Sequence, residues 1–591
     1  MLVALALGPL AAGAAVVFAP SIAAAAATAT TPAGQTATTP ASAPGTTDVV
    51  RLPFPAFDGS LTPYSFAIGY PLVTLVYDTL LWRDPAGVPR PWLARSVTSS
   101  NGGRRLTVRL RNGVRWHDGR PLTAADVAFT FRFVATHYQP RFTPQVADVR
   151  RVRATGPLTV RIDLRRRSLG FDDQPLADMP ILPRHLWRGL PAGRTAPSGR
   201  AIGSGPYRLV SAQRRRGYVL RANPRYFLGA PRVGEIRVPI LGDADETYDA
   251  LRARRVDMVP LSLPRDAAEQ LGQTIGIAVR RGVSYNGTML VLNLRRAPFQ
   301  RLAARRVVAA AVDPGRVARQ VAPAVAADEG FIHPSSRWAA GTTVGRFDAA
   351  AAREGRAALG DAPIRVLAPV NDPVRLEAGR EVVRALRQSG ARATVVTRTR
   401  PQLDRALGAD GSRPDFDAAI ETIPALVSQD PNDLRRMFSS DPRNAPLNAS
   451  GYRSEAFEAA ARRVASAADV PTRRRETLAE LRLLARDVPA IPLFFSQGVY
   501  AYRAAIFDGW DFVKGTGILD KRSFLALADS PSADRQPSAA EAPTDSASGD
   551  GTSSGFSLVN LLSLTALMIV VLLAVAAVVL RGRERRRKRE R

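Results

Sequence analysis

The sequence predicts an α/β protein whose body has two lobes and is followed by one transmembrane helix. Residues 106–110 alternate apolar and polar side chains, which is the period of a half-buried strand. Residues 382–386 place apolar side chains at helical spacing, and residues 393–396 then read as another strand. Residues 48–528 exceed the ~250–300 residues at which a single hydrophobic core stops growing, so two lobes are expected.

The first predicted strand leads into a turn and a capped helix. Asn112 and Gly113 are a common hairpin turn, and they predict that the chain returns through residues 114–116 as a second strand. Further on, the Thr123 hydroxyl can cap a helix while Asp126, three residues later, satisfies another free N–H group. Hairpin, turn and capped helix are therefore expected in that order.

Nine residues in this region form a sequence motif: Arg111, Trp116, Asp118, Gly119, Leu122, Thr123, Ala124, Asp126 and Val127. This order resembles the signature of the family 5 extracellular solute-binding proteins, the receptors of peptide and nickel ABC importers. The resemblance continues from residue 49 to residue 524. Its further landmarks lie at residues 91–94, 203–207, 223–227 and 487–493.

The resemblance implies a type II periplasmic-binding-protein-like fold with an extra inserted subdomain and a ligand held between two lobes. Lobe I is expected at residues 48–262, including the inserted subdomain, and lobe II at residues 263–497. Residues 498–528 then return to lobe I. Closure of such lobes around a ligand is a hinge motion that a transporter can recognise.

The beginning of the chain reads as a signal peptide at residues 1–27. Residues 2–19 are almost wholly apolar, and residues 23–27 supply small side chains for cleavage. No Lys or Arg precedes the apolar run, as a signal peptide would normally have. Two alternatives therefore stay open: that translation starts at another codon, and that the segment is an uncleaved membrane anchor. Residues 28–47 are a low-complexity linker.

The end of the chain predicts a tether. Residues 529–555 are rich in Ser, Ala, Pro, Asp and Gly and predict a disordered stalk. Residues 556–580 carry no charge and are long enough to cross the ~30 Å hydrocarbon layer as a helix. The basic residues 581–591 predict a cytoplasmic tail, which places the binding domain outside a cell membrane that the chain crosses once.

Composition and charge narrow the function classes. The chain has no cysteine, which excludes disulfides, a thiol nucleophile and a lipoprotein-type lipid anchor. The net charge is +30, of which eight basic and two acidic residues of the tail contribute +6, leaving +24 outside. No nucleic-acid motif accompanies the arginines, so we expect a solvated basic face and attraction to an anionic cell surface rather than nucleic-acid binding.

Enzyme signatures do not fit. The four histidines, at positions 117, 137, 185 and 333, lack the spacing of metal ligands and are expected in turns or on the surface. Ser204 between two glycines lacks the register of a nucleophile elbow and predicts a structural turn. The acids at 243, 245 and 246 suit a helix N-terminus better than a calcium loop. We therefore expect a non-enzyme without a metal or other cofactor.

Candidate ligand contacts come from the resemblance. Where peptide-binding relatives have Gly-Trp and then an acid for the peptide amino group, this chain has Thr422 and Ile423, and the usual acid falls near Leu426. Glu421 or Asp430 is the expected substitute. The remaining expected contacts, in a first loop and before a lobe II strand, are Tyr64, Ser65, Phe66, Tyr285 and Asn286.

The resemblance implies a monomeric receptor that binds peptides or similar solutes and delivers them to an ABC permease complex. A peptide, a nickel chelate and another small solute all stay open as the ligand. The alternative is a membrane-tethered surface binding or sensing protein that keeps the fold without serving transport. The predicted transmembrane helix and the altered pocket segment favour that alternative.

Overall fold

A computed structural model of the protein describes residues 47–527 except 67–68, 191–200, 261, 340–346, 371, 410, 425–428, 442–447 and 516. All of these belong to one compact unit of the chain. The expected signal peptide, the stalk, the transmembrane helix and the basic tail lie outside the described residues. Within the described residues, no helix is long and apolar enough to span a membrane.

The described residues form sixteen strands and thirteen α-helices. The strands are β1 Thr47–Arg51, β2 Leu81–Arg83, β3 Pro89–Pro91, β4 Ala94–Ser100, β5 Arg105–Leu110, β6 Val149–Gly156, β7 Thr159–Leu164, β8 Tyr207–Gln213, β9 Gly217–Ala222, β10 Val233–Val238, β11 Ala278–Leu292, β12 Ala324–Ala326, β13 Ile364–Pro369, β14 Ala393–Arg398, β15 Ala418–Ile423 and β16 Ala490–Tyr502. The helices are α1 Tyr70–Val76, α2 Ala124–Thr136, α3 Arg184–Trp187, α4 Ala244–Arg252, α5 Arg265–Gly272, α6 Leu302–Ala311, α7 Pro314–Val321, α8 Ala349–Glu354, α9 Pro373–Gln388, α10 Arg400–Leu407, α11 Asn432–Phe438, α12 Glu455–Ser466 and α13 Val470–Asp487.

Three main sheets organise these elements. The N-terminal sheet has the order β1-β10-β9-β8, in which only β1 and β10 are parallel. The subdomain sheet, β4-β5-β7-β6, is antiparallel throughout. The six-stranded sheet has the order β12-β16-β11-β15-β13-β14, and its β15, β13 and β14 are parallel. The strands β2 and β3 form a separate antiparallel pair.

Each sheet is covered by apolar side chains and helices. One face of the six-stranded sheet packs against α6, α7 and α9, and the other packs against α10 to α13. The subdomain sheet packs one face on α2. Helix-spaced Val382, Val383 and Leu386 are buried on α9, and Ala393 begins β14, so both of these local predictions are confirmed.

The capped helix after the first predicted strand is also confirmed. The Thr123 backbone N–H donates to Asp126 Oδ2 at 2.8 Å, and α2 begins at the next residue. The expected hairpin is wrong. β5 pairs with β4 on one side and with β7 on the other, so no edge is free for residues 114–116. That segment forms only a single bridge, between Arg115 and Pro121.

The loop around Ser204 is a structural turn, as expected. Its hydroxyl donates to Asp78 Oδ2 at 3.0 Å, and a Cβ at Gly203 would lie 1.9 Å from the Val76 carbonyl oxygen.

His117 lies in the adjoining turn, and burial lowers its pKa to about 4. His333 begins a turn, but its side chain is buried rather than on the surface.

A buried lysine attaches the end of the described chain to the region of β2 and β3. Lys521 Nζ lies 2.8 Å from Asp78 Oδ1, and both side chains are fully buried. The ammonium group also lies 4.1 Å from the centre of the Trp82 ring and 5.1 Å from that of Trp92. Tyr226 and Ser204 donate to the same carboxylate, so Asp78 joins its own segment to three others, around residues 204, 226 and 521.

A second buried charge cluster joins the subdomain to α11. Arg436 Nη2 donates to the Arg141 carbonyl oxygen at 3.0 Å, while Asp433 Oδ1 lies 3.5 Å from Arg436 Nη1. Burial raises the pKa of Asp433 to about 8. This value includes the guanidinium groups of Arg436 and Arg141, which lower the pKa, and the carboxylates of Asp430 and Asp178, which raise it.

We expect Lys521→Met to lower the free energy of unfolding by about 3–5 kcal/mol, because the buried Asp78 carboxylate loses its cation. The matched control is Lys514→Met, which removes one partly exposed hydrogen bond to the Ser335 carbonyl oxygen. The midpoints of thermal unfolding of the two variants measure the difference. Equal midpoints would contradict a stabilising role for the buried pair.

We expect stability to fall between pH 5 and pH 8 more steeply in the native protein than in Asp433→Asn. A carboxyl group whose pKa is higher in the folded state keeps its proton there after the unfolded chain has lost it, so each pH unit in this window disfavours folding by up to about 1.4 kcal/mol. Chemical unfolding at several pH values measures the slope. Parallel profiles for the two proteins would show that Asp433 is ionised when folded.

Candidate functional site

A cavity of about 390 Å³ lies between the N-terminal sheet and the six-stranded sheet. One side is formed by residues 53–55 after β1, by residues 241–244, 247 and 248 at the start of α4 and by residues 259, 260 and 262. The other side is formed by residues of β11, β15, β16 and the start of α9. Its volume lies within the ~300–1,000 Å³ range of small-molecule sites.

The alternation of β11 decides which side chains reach the cavity. Ser284, Asn286 and Thr288 line it, whereas Tyr285 and Met289 point to the opposite face of the strand. The Tyr285 ring packs there against His333, with ring centres 5.4 Å apart. Opposite residue 287, β16 contributes Phe495 to that face and the neighbouring Ser496 to the cavity.

The start of α9 holds a fixed group of polar side chains against β15. Asp372 caps the helix by accepting from the Arg375 backbone N–H at 2.9 Å, and Pro373 occupies the first helical position. Arg375 Nε donates to Asp372 Oδ2 at 2.7 Å, and Nη1 donates to Thr422 Oγ1 at 2.6 Å. The guanidinium group is therefore held by both elements at the cavity wall.

The start of α4 approaches the same space from the other side. Asp243 caps this helix by accepting from the Glu246 backbone N–H at 3.0 Å, which confirms that the acidic cluster belongs to a helix N-terminus. Burial, together with the nearby carboxylates of Asp245, Asp372 and Asp243, raises the pKa of Tyr248 to about 12. The Tyr248 phenol is therefore protonated and can donate a hydrogen bond, and its pKa depends on carboxylates at the starts of both α4 and α9.

The charge of the cavity wall is opposite in sign to that of the protein. Asp243, Asp372 and Arg375 are the charged residues among the described lining, which gives a net charge of −1, whereas residues 1–580 of the chain carry +24. An amide-bearing or cationic solute meets acceptors here, and an anionic solute meets two carboxylates. Among the described residues, no group of three His, Cys, Asp or Glu side chains is placed to hold a metal ion.

The structure brings two of the residues expected from sequence into the cavity, Asn286 and Thr422. Their neighbours lie on the other faces of the same strands. Glu421 pairs there with Arg400, whose Nη1 lies 3.1 Å from Glu421 Oε1, and Ile423 is buried in the core. Tyr285 points away from the cavity like Glu421 and Ile423. A small ligand that contacts Asn286 and Thr422 in the cavity therefore cannot also contact these three side chains.

The expected contacts in the first loop pack mainly within the protein. The Tyr64 hydroxyl donates to the His137 carbonyl oxygen at 3.0 Å, and Phe66 packs against Phe142. Ser65 Oγ accepts from the Thr62 backbone N–H at 3.0 Å in a tight turn. None of the three lies among the described residues that line the cavity.

Asp430 is paired within the protein. Its Oδ1 accepts from Arg473 Nη2 at 2.6 Å, and both side chains are almost completely buried. The second oxygen, Oδ2, accepts no hydrogen bond from a described residue. A Cβ at Gly170 would lie 2.2 Å from that oxygen, so the subdomain packs directly over the carboxylate.

Sequence reasoning missed the residues that come from helix starts. Asp372 followed by Pro373 is a strong N-cap signal, and it could have placed Arg375 on the first turn of a helix. Tyr248 gave no signal, because its position at the cavity depends on how two distant helices meet.

Comparison with known proteins agrees with this architecture. The family model for bacterial extracellular solute-binding proteins, family 5, matches residues 88–445. Protein XP55 of Streptomyces lividans is 31% identical over 247 residues, which cover 40% of this chain and 43% of that protein. The chain thus matches less than half of the length of such curated relatives.

Solved structures share the fold over most of the chain. The oligopeptide-binding protein AppA from Bacillus subtilis, in complex with a nonapeptide, has a TM-score of 0.72 at 18% identity and covers 82% of this chain and 100% of its own. NikZ from Campylobacter jejuni, in complex with Ni(L-His), has a TM-score of 0.70 at 19% identity and covers 81% and 97%. The family match over residues 88–445 and the shared periplasmic-binding-protein-like fold show that the chain belongs to the family 5 bacterial extracellular solute-binding proteins.

Proposed function

We propose that this chain is the receptor of an ABC importer and that it binds a peptide or a similar elongated, amide-bearing solute between two lobes. Lobe I comprises residues 48–262 and 498–528, and lobe II comprises residues 263–497. The observation that carries the proposal is the cavity whose wall is shared between the N-terminal sheet and the six-stranded sheet. A solute that contacts both walls stabilises the closed arrangement, which a permease can recognise.

The polar wall supports an amide-bearing ligand. Asn286 offers both a donor and an acceptor, Thr422 offers a hydroxyl, and Tyr248 offers a phenolic donor. A peptide backbone presents the complementary N–H and C=O groups along its length. The carboxylates of Asp243 and Asp372 are the acids nearest to a cationic end bound in this cavity.

Glu421 and Asp430, the acids suggested by the family resemblance, provide a competing position for that cationic end. Each has an arginine partner, Arg400 or Arg473, as Asp372 has Arg375, but neither acid lies among the described residues that line the cavity. Removing the arginine partner of a buried carboxylate strongly destabilises the fold. Substitutions at the Asp430–Arg473 pair should therefore lower stability more than substitutions at the cavity acids.

We expect Asp372→Asn to weaken binding of cationic peptides at least tenfold, because asparagine keeps the helix cap but removes the charge. Thr422→Val should also weaken binding. Calorimetry with a peptide library, on the full chain, measures both. Glu421→Gln is the matched control on the other face of β15.

The pattern across these variants decides the site. Unchanged affinity in Asp372→Asn together with loss in Glu421→Gln would place the ligand on the opposite face. If no peptide binds the native protein, the tethered surface binding or sensing function replaces transport.

We expect the body to be outside the cell and residues 581–591 inside, because the eight basic residues after the apolar span disfavour translocation of that end. Protease added to intact cells should remove the body and spare an epitope on the tail. Digestion of the tail epitope in sealed cells would contradict this orientation.

A further inference from the structure

The subdomain sheet has one face that does not belong to any hydrophobic core. Its buried face carries Leu106, Val108, Val160 and Ile162, which pack towards α2. Because side chains alternate along each strand, the intervening residues point the other way. At these outward positions the four strands carry only Ser, Thr, Arg, one Gly and one Asp.

The arginines of this face form a continuous array across three strands. Five arginines and one aspartate give the array a net charge of +4. They are Arg105 and Arg109 on β5, Arg161 and Asp163 on β7, and Arg151 and Arg153 on β6. The register places Arg153 directly opposite Arg161, and Asp163 between Arg105 and Arg151.

The internal charge balance of the array is incomplete. Asp163 Oδ1 accepts from Arg105 Nε at 2.9 Å and from Arg161 Nε at 3.0 Å, so one acid serves two arginines. Arg109, Arg151 and Arg153 are exposed and form no ion pair with any described residue. Like charges directly opposite each other on a sheet are unfavourable, and bound anions relieve this repulsion.

We propose that this face, the outer surface of β4, β5, β6 and β7, docks on the headgroups of an anionic phospholipid membrane. An open sheet face presents its arginines side by side to a broad charged surface, rather than enclosing a single small ion. The outward positions hold no aromatic ring on which a nucleic-acid base could stack, which disfavours a single-stranded nucleic acid as the partner. The family is extracellular, which also favours a membrane surface over nucleic acid.

The absence of cysteine from the sequence makes a direct test possible. Thr98→Cys introduces a single labelling site on the face, opposite Thr107, and Ala351→Cys introduces one on α8. The full chain, labelled at either position, is mixed with vesicles of phosphatidylglycerol and phosphatidylcholine that carry a lipid acceptor dye. We expect energy transfer from position 98 to exceed that from position 351.

Charge reversal identifies the residues responsible. Arg151→Glu with Arg153→Glu should weaken association with the anionic vesicles by at least about 25-fold, since each arginine near such a surface contributes about fivefold. Arg353→Glu with Arg462→Glu changes the net charge equally at exposed helical positions and should have a much smaller effect. Association of the native protein should also weaken as salt rises.

Three results would overturn the proposal. They are equal energy transfer from both labels, equal losses in the two double variants, and equal energy transfer from position 98 with anionic and with purely phosphatidylcholine vesicles. Duplex DNA can be added as a competitor. If it displaces the native protein from anionic vesicles at a phosphate concentration below that of the anionic lipid, the face binds nucleic acid instead. The C-terminal residues are the same in all proteins compared, so the energy transfer from position 98 and the part of the association that falls as salt rises report on the subdomain face.

Discussion

The long antiparallel pair formed by β11 and β16 is the constraint on which the remaining structure depends. The pairing runs from Ala278 opposite Tyr502 to Val291 opposite Ala490, with an irregularity between Val283 and Gly287. Both strands belong to the six-stranded sheet, but the Tyr502 end packs in the core of the N-terminal sheet, whereas Val291 packs in the core of the six-stranded sheet. The ladder therefore joins both walls of the cavity, and its irregular section is where β11 presents Ser284 and Asn286 to that space. A change in strand register by one residue would exchange the cavity-facing and core-facing side chains.

Buried charges connect the segments that the ladder leaves apart. Asp78 binds Lys521 across most of the length of the chain, and Arg436 contacts the Arg141 carbonyl oxygen from α11. Such groups are retained inside a protein only when each has partners, because an isolated buried charge is strongly unfavourable. The cavity differs from these clusters. Its acids, Asp243 and Asp372, cap helices at the wall, and although Asp372 is also paired with Arg375, both acids lie on the lining where a solute can reach them.

The sequence predicted the elements whose signals are local. Thr123 with Asp126 predicted the start of α2, and the apolar spacing of Val382 and Leu386 predicted α9, because capping and periodicity depend on neighbouring residues. The hairpin after Asn112 failed because strand pairing is decided by distant partners. The same limit applies to the site. Asn286 and Thr422 reach the cavity, but nothing in the sequence distinguishes the side of β15 that carries Thr422 from the side that carries Glu421.

The central claim is that a solute occupies the space between the two sheets, against Thr422, Asn286 and Tyr248. A crystal structure of the protein with the ligand that it retains on purification, or with the tightest-binding peptide, tests this claim most directly. We expect ligand density within hydrogen-bonding distance of Thr422 Oγ1 and of the Tyr248 hydroxyl. Ligand density on the opposite face of β15, beside Glu421 and Arg400, would contradict it.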